Sequence, residues 1–273
     1  MVENNSKHTS YRIDVPKEFE DVFSHFYYSE NKSNENITKT LLPSFQTILI
    51  FSFGTRILFE KKQNLQIILD KYLILGPIKY AFQYSLPANS EILVVNFKND
   101  AFYRLFGRSF VSENLPIHHD ELFYNDCFTA MWSELKKEND TNSRVNYILD
   151  LCRQHLSQRT SLAEQLSNFK ELTSDPIKTI ADRHNKTIRT IQMHHKKYFG
   201  YSAKEFNRYQ RFLRALNLIQ KITANGLKVD WFEVIFECGY YDQSHLIRDF
   251  KYYFNLSPSQ YLKIQQNICN PVT

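Results

Sequence analysis

The sequence predicts an α+β chain. Its N-terminal half reads as an antiparallel sheet or small β-barrel followed by helices, and its C-terminal third as an all-α region holding two helix-turn-helix units. Three observations carry this. From Phe45 to Phe97, short runs rich in Ile, Leu, Val, Phe and Tyr are punctuated by Gly54, Gly76, Pro77, Pro87 and Asn89, the mark of strands joined by tight turns. After Ala101 helical spacing of apolar residues takes over. And one pattern occurs twice, at residues 175–200 and 229–255. A shift of 55 residues sets Ile191 on Leu246, Tyr198 on Tyr253, Phe199 on Phe254, Ser202 on Ser257 and Phe206 on Tyr261. A repeated unit usually means a repeated structural task.

In chain order, the strands are expected in "FQTILIFSF", "RILFEK", "LQIILD", "YLILG", "YAFQYSL" and "EILVVNF". Their aromatic residues Phe51, Phe53, Phe59, Tyr72, Tyr80, Phe82, Tyr84 and Phe97 read first as core, with a pocket for a small apolar or aromatic effector as the other reading. Helices are then expected over residues 101–106, 122–137, 143–157 and 162–172. A polar loop, "KKENDTN", separates the second from the third. The apolar stripes of the last two suit ordinary packing or a dimer seam. A linker falls at residues 173–175. The domains expected are therefore 10–160, a linker helix at 161–174, and 175–268.

Turn chemistry supports the repeat. Asp175 reads as an N-cap with Pro176 at the first helical position. Ile177, Ile180 and Ala181 mark one apolar face, and Asn185 suits a left-handed turn. Thr187 caps the next helix, in which Ile188 and Ile191 should point inward before Gly200 stops it. In the second copy Gly239 occupies the turn, Asp242 is the N-cap, Leu246 and Phe250 point inward, and Asn255 stands in for Gly200. The second turn is one residue longer. Between the copies, residues 202–222 carry Phe206, Tyr209, Phe212, Leu213, Leu216 and Ile219 at helical spacing with no Gly or Pro. A helix of about 20 residues spans roughly 30 Å. One turn of B-DNA is about 34–36 Å. Such a helix can carry two recognition helices to successive major grooves.

The strings "TIRTIQ", "YFGYSAKEF", "RFLRALNLI" and above all "ECGYYDQSHLIRDFKYYFNLSPSQYL" resemble the DNA-binding domain of the AraC/XylS family of bacterial transcription regulators, over residues 169–265. Residues 20–155, through Pro43, the "LGP" at 75–77 and "AFYRLFG", resemble the sensor domain found ahead of such regions. That likeness implies a cupin-like barrel, identifies no ligand, and leaves a small-molecule effector and a homodimer as expected partners. Matching the family pattern residue by residue assigns base reading to Arg189, Gln192 and Met193 in the first recognition helix. In the second it assigns Gln243, Ser244, His245, Ile247 and Arg248. Phosphate contacts fall to Thr187, Lys196, Lys197, Arg208, Asp242 and Lys251. Arg to guanine and Gln to adenine are the usual pairings; phosphate contacts position without specifying. The family pattern carries Arg where this chain has Met193, an aromatic where it has His195, and a small residue where it has Ile235. Ile235 should push the second helix pair slightly apart or find space left by a neighbour, and a partly buried His195 needs a hydrogen-bond partner or must stay neutral. The resemblance also implies an activator that contacts RNA polymerase.

Composition agrees. The chain holds 34 Lys+Arg against 29 Asp+Glu. From Asp175 onward there are 15 basic and 8 acidic residues, net +7, leaving net −2 for the rest. A basic domain is the electrostatic footprint of a phosphate binder. Hydrophobic content of 42% over 273 residues supports about two domains. There is no apolar run of the roughly 20 residues a membrane span needs and no signal-peptide h-region at the start. Four unpaired cysteines, Cys127, Cys152, Cys238 and Cys269, read as reduced thiols, so the expected compartment is the cytoplasm. No GxGxxG, P-loop or GxSxG is present, and His25 and His118–His119 do not form a metal set. No enzyme activity and no cofactor are expected. The competing reading is a small-molecule-binding or metal-dependent barrel whose DNA-binding arm is secondary. A third has the N-terminal half only dimerise.

Overall fold

The computed structural model describes residues 3–5, 7–61, 65–107, 127–168 and 176–264. The chain is α+β and divides into two compact units. The first comprises Met1–Leu41, Gln46–Ile78 and Phe82–Tyr201; the second comprises Leu42–Phe45, Lys79–Ala81 and Ser202–Thr273.

The first unit contains β1 (Glu3–Asn5), β2 (His8–Ile13), β3 (Phe23–Asn31), β4 (Ile37–Leu41), β5 (Thr47–Ser52), β6 (Ile57–Lys61), β7 (Leu65–Leu69), β8 (Tyr72–Leu75), β9 (Phe82–Leu86) and β10 (Ser90–Phe97). A six-stranded sheet runs β1-β2-β3-β10-β5-β8 and a four-stranded sheet runs β4-β9-β6-β7. Every pairing is antiparallel. β5 and β8 are buried at every residue, which explains why they read as unbroken apolar runs rather than alternating ones. Successive side chains leave opposite faces of a strand. Accordingly Ile48, Ile50, Leu73, Leu75, Ile92 and Val94 join one core with Ile57, Leu69, Tyr84 and Leu86 of the smaller sheet. Leu49, Phe51, Tyr72, Ile74, Leu93 and Val95 face a second core.

Helices complete that second core. α1 (Ala101–Phe106), α2 (Cys127–Leu135) and α3 (Thr141–His155) bring Phe102, Phe128, Leu135, Val145, Ile148, Leu149 and Cys152 to it. The apolar stripe of α3 is thus core, and its outer residues Asn142, Asn146, Asp150 and Arg153 are exposed. Asp140 caps α3 by accepting from the Ser143 N–H at 3.0 Å, so this helix starts two residues earlier than its apolar spacing indicates. α4 (Ser161–Ser167) buries Leu162, Ala163 and Leu166 and packs on α5 (Pro176–Arg183) and α6 (Ile188–Phe199). Of the aromatic set, Phe51, Tyr72, Tyr84 and Phe97 are buried, while Phe53, Tyr80 and Phe82 are half-buried. The Phe59 side chain, residues 122–126 and 169–175 with the Asp175 cap and the linker, His118–His119 and Cys269 lie outside the described residues.

The second unit contains α7 (Ala203–Ala224), α8 (Trp231–Cys238), α9 (Gln243–Phe254) and α10 (Pro258–Ile264). A capping box starts α7: the Ser202 hydroxyl accepts from the Glu205 N–H while the Glu205 carboxylate accepts from the Ser202 N–H, worth about 1 kcal/mol. Tyr209, Phe212, Leu216 and Ile219 of α7 are buried as their spacing requires; Phe206 and Leu213 are half-buried. The two short segments belonging to this unit bind the same helix. Phe45 stacks on Tyr209 with ring centroids 4.3 Å apart, and the Tyr209 hydroxyl donates to the Pro43 carbonyl at 2.5 Å. Lys79 pairs with Glu205 at 2.7 Å, and the Ala81 N–H donates to the Tyr253 carbonyl at 2.7 Å.

Candidate nucleic-acid interface

Both helix-turn-helix units close as the turn residues demand. In the first, Asn185 is left-handed at φ 50°. The Thr187 hydroxyl accepts from the Thr190 N–H at 3.2 Å, and Gly200 ends α6 at φ 76°. In the second, Gly239 ends α8 at φ 71°, the Asp242 carboxylate accepts from the His245 N–H at 2.7 Å, and Asn255 ends α9 at φ 60°. Asn255 therefore does the work of Gly200 in a conformation that few side chains tolerate. Ile177, Ile180, Ala181, Ile191, Leu246 and Phe250 are all buried. Ile188 is not: it is 42% exposed. It is the first residue of α6, where the helix has not yet turned its apolar face inward.

The base-reading set divides. Arg189, Gln192 and Met193 are exposed on one face of α6, and Gln243, Ser244 and Arg248 are exposed on α9. Met193, 61% exposed, presents a thioether where a cation was expected. His245 and Ile247 are half-buried. His245 is also engaged, its Nε2 lying 2.8 Å from Arg211 Nη2 of α7.

The phosphate set divides too. Lys251 and Lys197 are exposed and Lys196 is half-buried, and Lys197 sits 5.6 Å from the Tyr103 ring of α1. Three other assigned residues already hold partners within the fold. Arg208 donates through Nε to the fully buried Asp249 at 2.7 Å and lies over the Tyr252 ring at 4.1 Å, so its charge is committed inside the unit. The side chains of Thr187 and Asp242 accept as helix caps, and the Asp242 carboxylate repels phosphate in any case.

The remaining departures behave as sterics dictate. His195 is 1% exposed and finds its required partner in the Tyr201 carbonyl, 2.8 Å from Nδ1. His194 is held below the usual histidine range by burial and then by the nearby Lys186 and Lys197 ammonium groups. Ile235 lines an open groove with Val229, Trp231, Phe232 and Gln243, so the bulkier residue coincides with space between α8 and the start of α9. Sequence reasoning missed Arg211, Tyr240 and Asp249. Asp249 was detectable as an acid on the apolar Leu246–Phe250–Tyr253 face of α9, a placement that calls for buried partners. Among the described residues, no group of three or more His, Cys, Asp or Glu side chains could hold a metal ion, and no helix is long and apolar enough to cross a membrane.

No curated protein matches the sequence. Solved structures similar to the chain include ToxT from Vibrio cholerae, with 11% identity over 95% of this chain and 99% of that one and a TM-score of 0.41. Unsaturated fatty acid-bound wild-type ToxT from strain SCE256 of the same organism gives 12% identity over 99% and 100% of the two chains and a TM-score of 0.40. An RmlC-like cupin protein from Desulfovibrio desulfuricans gives 11% identity, 36% of this chain, 89% of that one and a TM-score of 0.28. The family model described as a helix-turn-helix domain matches residues 180–264. That span takes in both capped turns and the helix joining them: residues 180–264 are an AraC-type helix-turn-helix domain.

Proposed function

We propose that the protein is a sequence-specific DNA-binding transcription regulator. The carrying observation is the pair of exposed recognition faces, Arg189–Gln192–Met193 on α6 and Gln243–Ser244–Arg248 on α9, in a region of net charge +7. α6 and α9 read base edges in two successive major-groove segments. Lys196 and Lys251 supply phosphate contacts, joined by Lys197 once it leaves the Tyr103 ring, and hence a salt-dependent share of the affinity. Residues 10–160 form a controlling domain, 161–174 a linker helix and 175–268 the DNA reader. The family resemblance adds activation through RNA polymerase and a small-molecule effector.

Arg248→Ala provides the test. Arg248 sits one turn into α9, four residues after the exposed Ser244 and on the same face, and a lost guanine contact costs about 1–3 kcal/mol of discrimination. The variant is expected to weaken binding to the cognate duplex far more than to random duplex in a salt-controlled shift assay. Equal weakening on both would assign Arg248 to phosphate. In vitro transcription from a promoter bearing the selected operator separates activator from repressor.

A further inference from the structure

Asp249 is the centre of a polar network that the first helix-turn-helix lacks. Its Oδ1 accepts from Arg208 Nε at 2.7 Å. Its Oδ2 accepts from the Tyr240 hydroxyl at 3.1 Å and lies 3.6 Å from Arg211 Nη2. The Arg211 guanidinium stands 4.8 Å from the Tyr240 ring, which meets the His245 ring edge-on at 5.1 Å. Arg211 Nη2 closes the network on His245 Nε2 at 2.8 Å. By the 55-residue shift, Asp249 corresponds to His194 and His245 to Thr190. The first copy builds the same two helices with a histidine in place of the acid and a threonine in place of His245, so the fold does not require the network.

The chemistry of the closing bond is directional. A guanidinium only donates. His245 must therefore accept at Nε2, which puts its own proton on Nδ1. The ring is left with a single polar function, an N–H donor. A donor in the major groove suits purine N7, guanine O6 and thymine O4, and is mismatched with the amino groups of cytosine and adenine.

We propose that Arg211, on the bridging helix, sets the base preference of the second recognition helix by fixing His245 as a donor-only reader. Arg211 touches no base in this scheme; it is a positioning residue. The proposal rests on the DNA-reading function above and extends it to a residue outside both recognition helices. Removing Arg211 leaves Asp249 paired with Arg208 and Tyr240, so the buried carboxylate keeps partners.

Two measurements on the full-length protein test it. The first needs no DNA. In a long-range ¹⁵N–¹H spectrum, the His245 signals, assigned by their loss in His245→Gln, are expected to report the Nδ1–H tautomer in the wild type and tautomer exchange in Arg211→Leu. A wild-type His245 with its proton on Nε2, or exchanging, overturns the proposal. It does so whether or not Arg211→Leu folds.

The second uses an operator selected from random duplexes and its single-base-pair variants. Arg211→Leu is expected to lower discrimination about tenfold at one or two base pairs under α9, an amount typical of one base contact, with affinity for random duplex unchanged within about twofold. Combined with His245→Ala it should add nothing to His245→Ala alone. Loss spread evenly over all positions and random DNA, or additive losses in the double variant, overturns the proposal. A wild-type protein that selects no sequence defeats the DNA-reading function instead, and the spectrum still decides the Arg211–His245 bond.

Discussion

At the scale of single residues, Phe45 meets two opposed demands. It is buried and stacked on Tyr209, yet its φ of 55° is a left-handed conformation costing a side-chain-bearing residue about 1–2 kcal/mol. Removing the ring should destabilise by about 3–5 kcal/mol. Glycine should recover about 1 kcal/mol of that loss by relieving the backbone. Urea denaturation is therefore expected to rank wild type above Phe45→Gly above Phe45→Ala, and the reverse order of the two variants would show that φ here carries no strain. His25 sets a pH limit. Burial, and then the Arg12 guanidinium, lower its pKa to about 4 against the ordinary 6.5, with Asp14 opposing. Between these values the unfolded chain binds the proton and the folded chain does not, so folding weakens as pH falls from about 6.5 to about 4. The loss amounts to at most about 3 kcal/mol. His25→Gln should show a flatter stability profile across that window; a profile parallel to wild type would remove His25 as a cause.

At the scale of elements, the repeat is a pair of equal scaffolds with unequal faces. Both turns close with left-handed residues, and both second helices are capped by a side chain that accepts from the N–H three residues on. On α6 the position matching Arg248 is Met193, which offers no donor. A saturated operator library should thus show sharp preference in one half and weaker preference in the other, with the halves about one helical turn apart. Met193→Arg should add affinity or a new preference in the weak half only; two equally sharp halves in the wild type would contradict this. The same comparison explains what sequence could and could not reveal. Caps, left-handed stops and apolar spacing are local, so Thr187, Gly200, Asp242, Asn255, Leu246 and Phe250 were legible one window at a time. So was the burial of β5 and β8, because a run apolar on both faces must be covered on both. The partners of Arg208, His245 and Tyr209 were not legible. Each is met across 34 to 166 residues of chain, and nothing in a window around Pro43 says that its carbonyl will receive a tyrosine hydroxyl. Ile188 failed for a smaller reason: helical phase was applied at the first residue of the helix, before burial begins.

At the scale of the whole molecule, the question is how much of DNA binding resides in the last hundred residues. The positive charge lies there, 15 basic against 8 acidic residues from Asp175 onward, and so do α6, α7 and α9. A fragment beginning at Phe169 should therefore fold and bind the operator with strong salt dependence. It should not equal the full chain. It lacks Phe45 and Pro43, which hold Tyr209, and Lys79, which pairs with Glu205, so its thermal midpoint is expected to be lower than that of the same helices in the full protein. It also lacks Tyr103, whose ring lies beside the Lys197 ammonium. Freed from that ring, Lys197 becomes available to phosphate, and each added phosphate contact steepens the dependence of log affinity on log salt by about one. The full-length variant Tyr103→Ala isolates this effect without truncation and should move the slope the same way. A fragment that is helical by circular dichroism yet silent in the shift assay would mean that the first half supplies essential contacts or an obligatory dimer. Identical slopes for fragment, Tyr103→Ala and wild type would mean that Lys197 reaches phosphate from where it stands, and that the N-terminal half governs the DNA reader by some route other than this lysine.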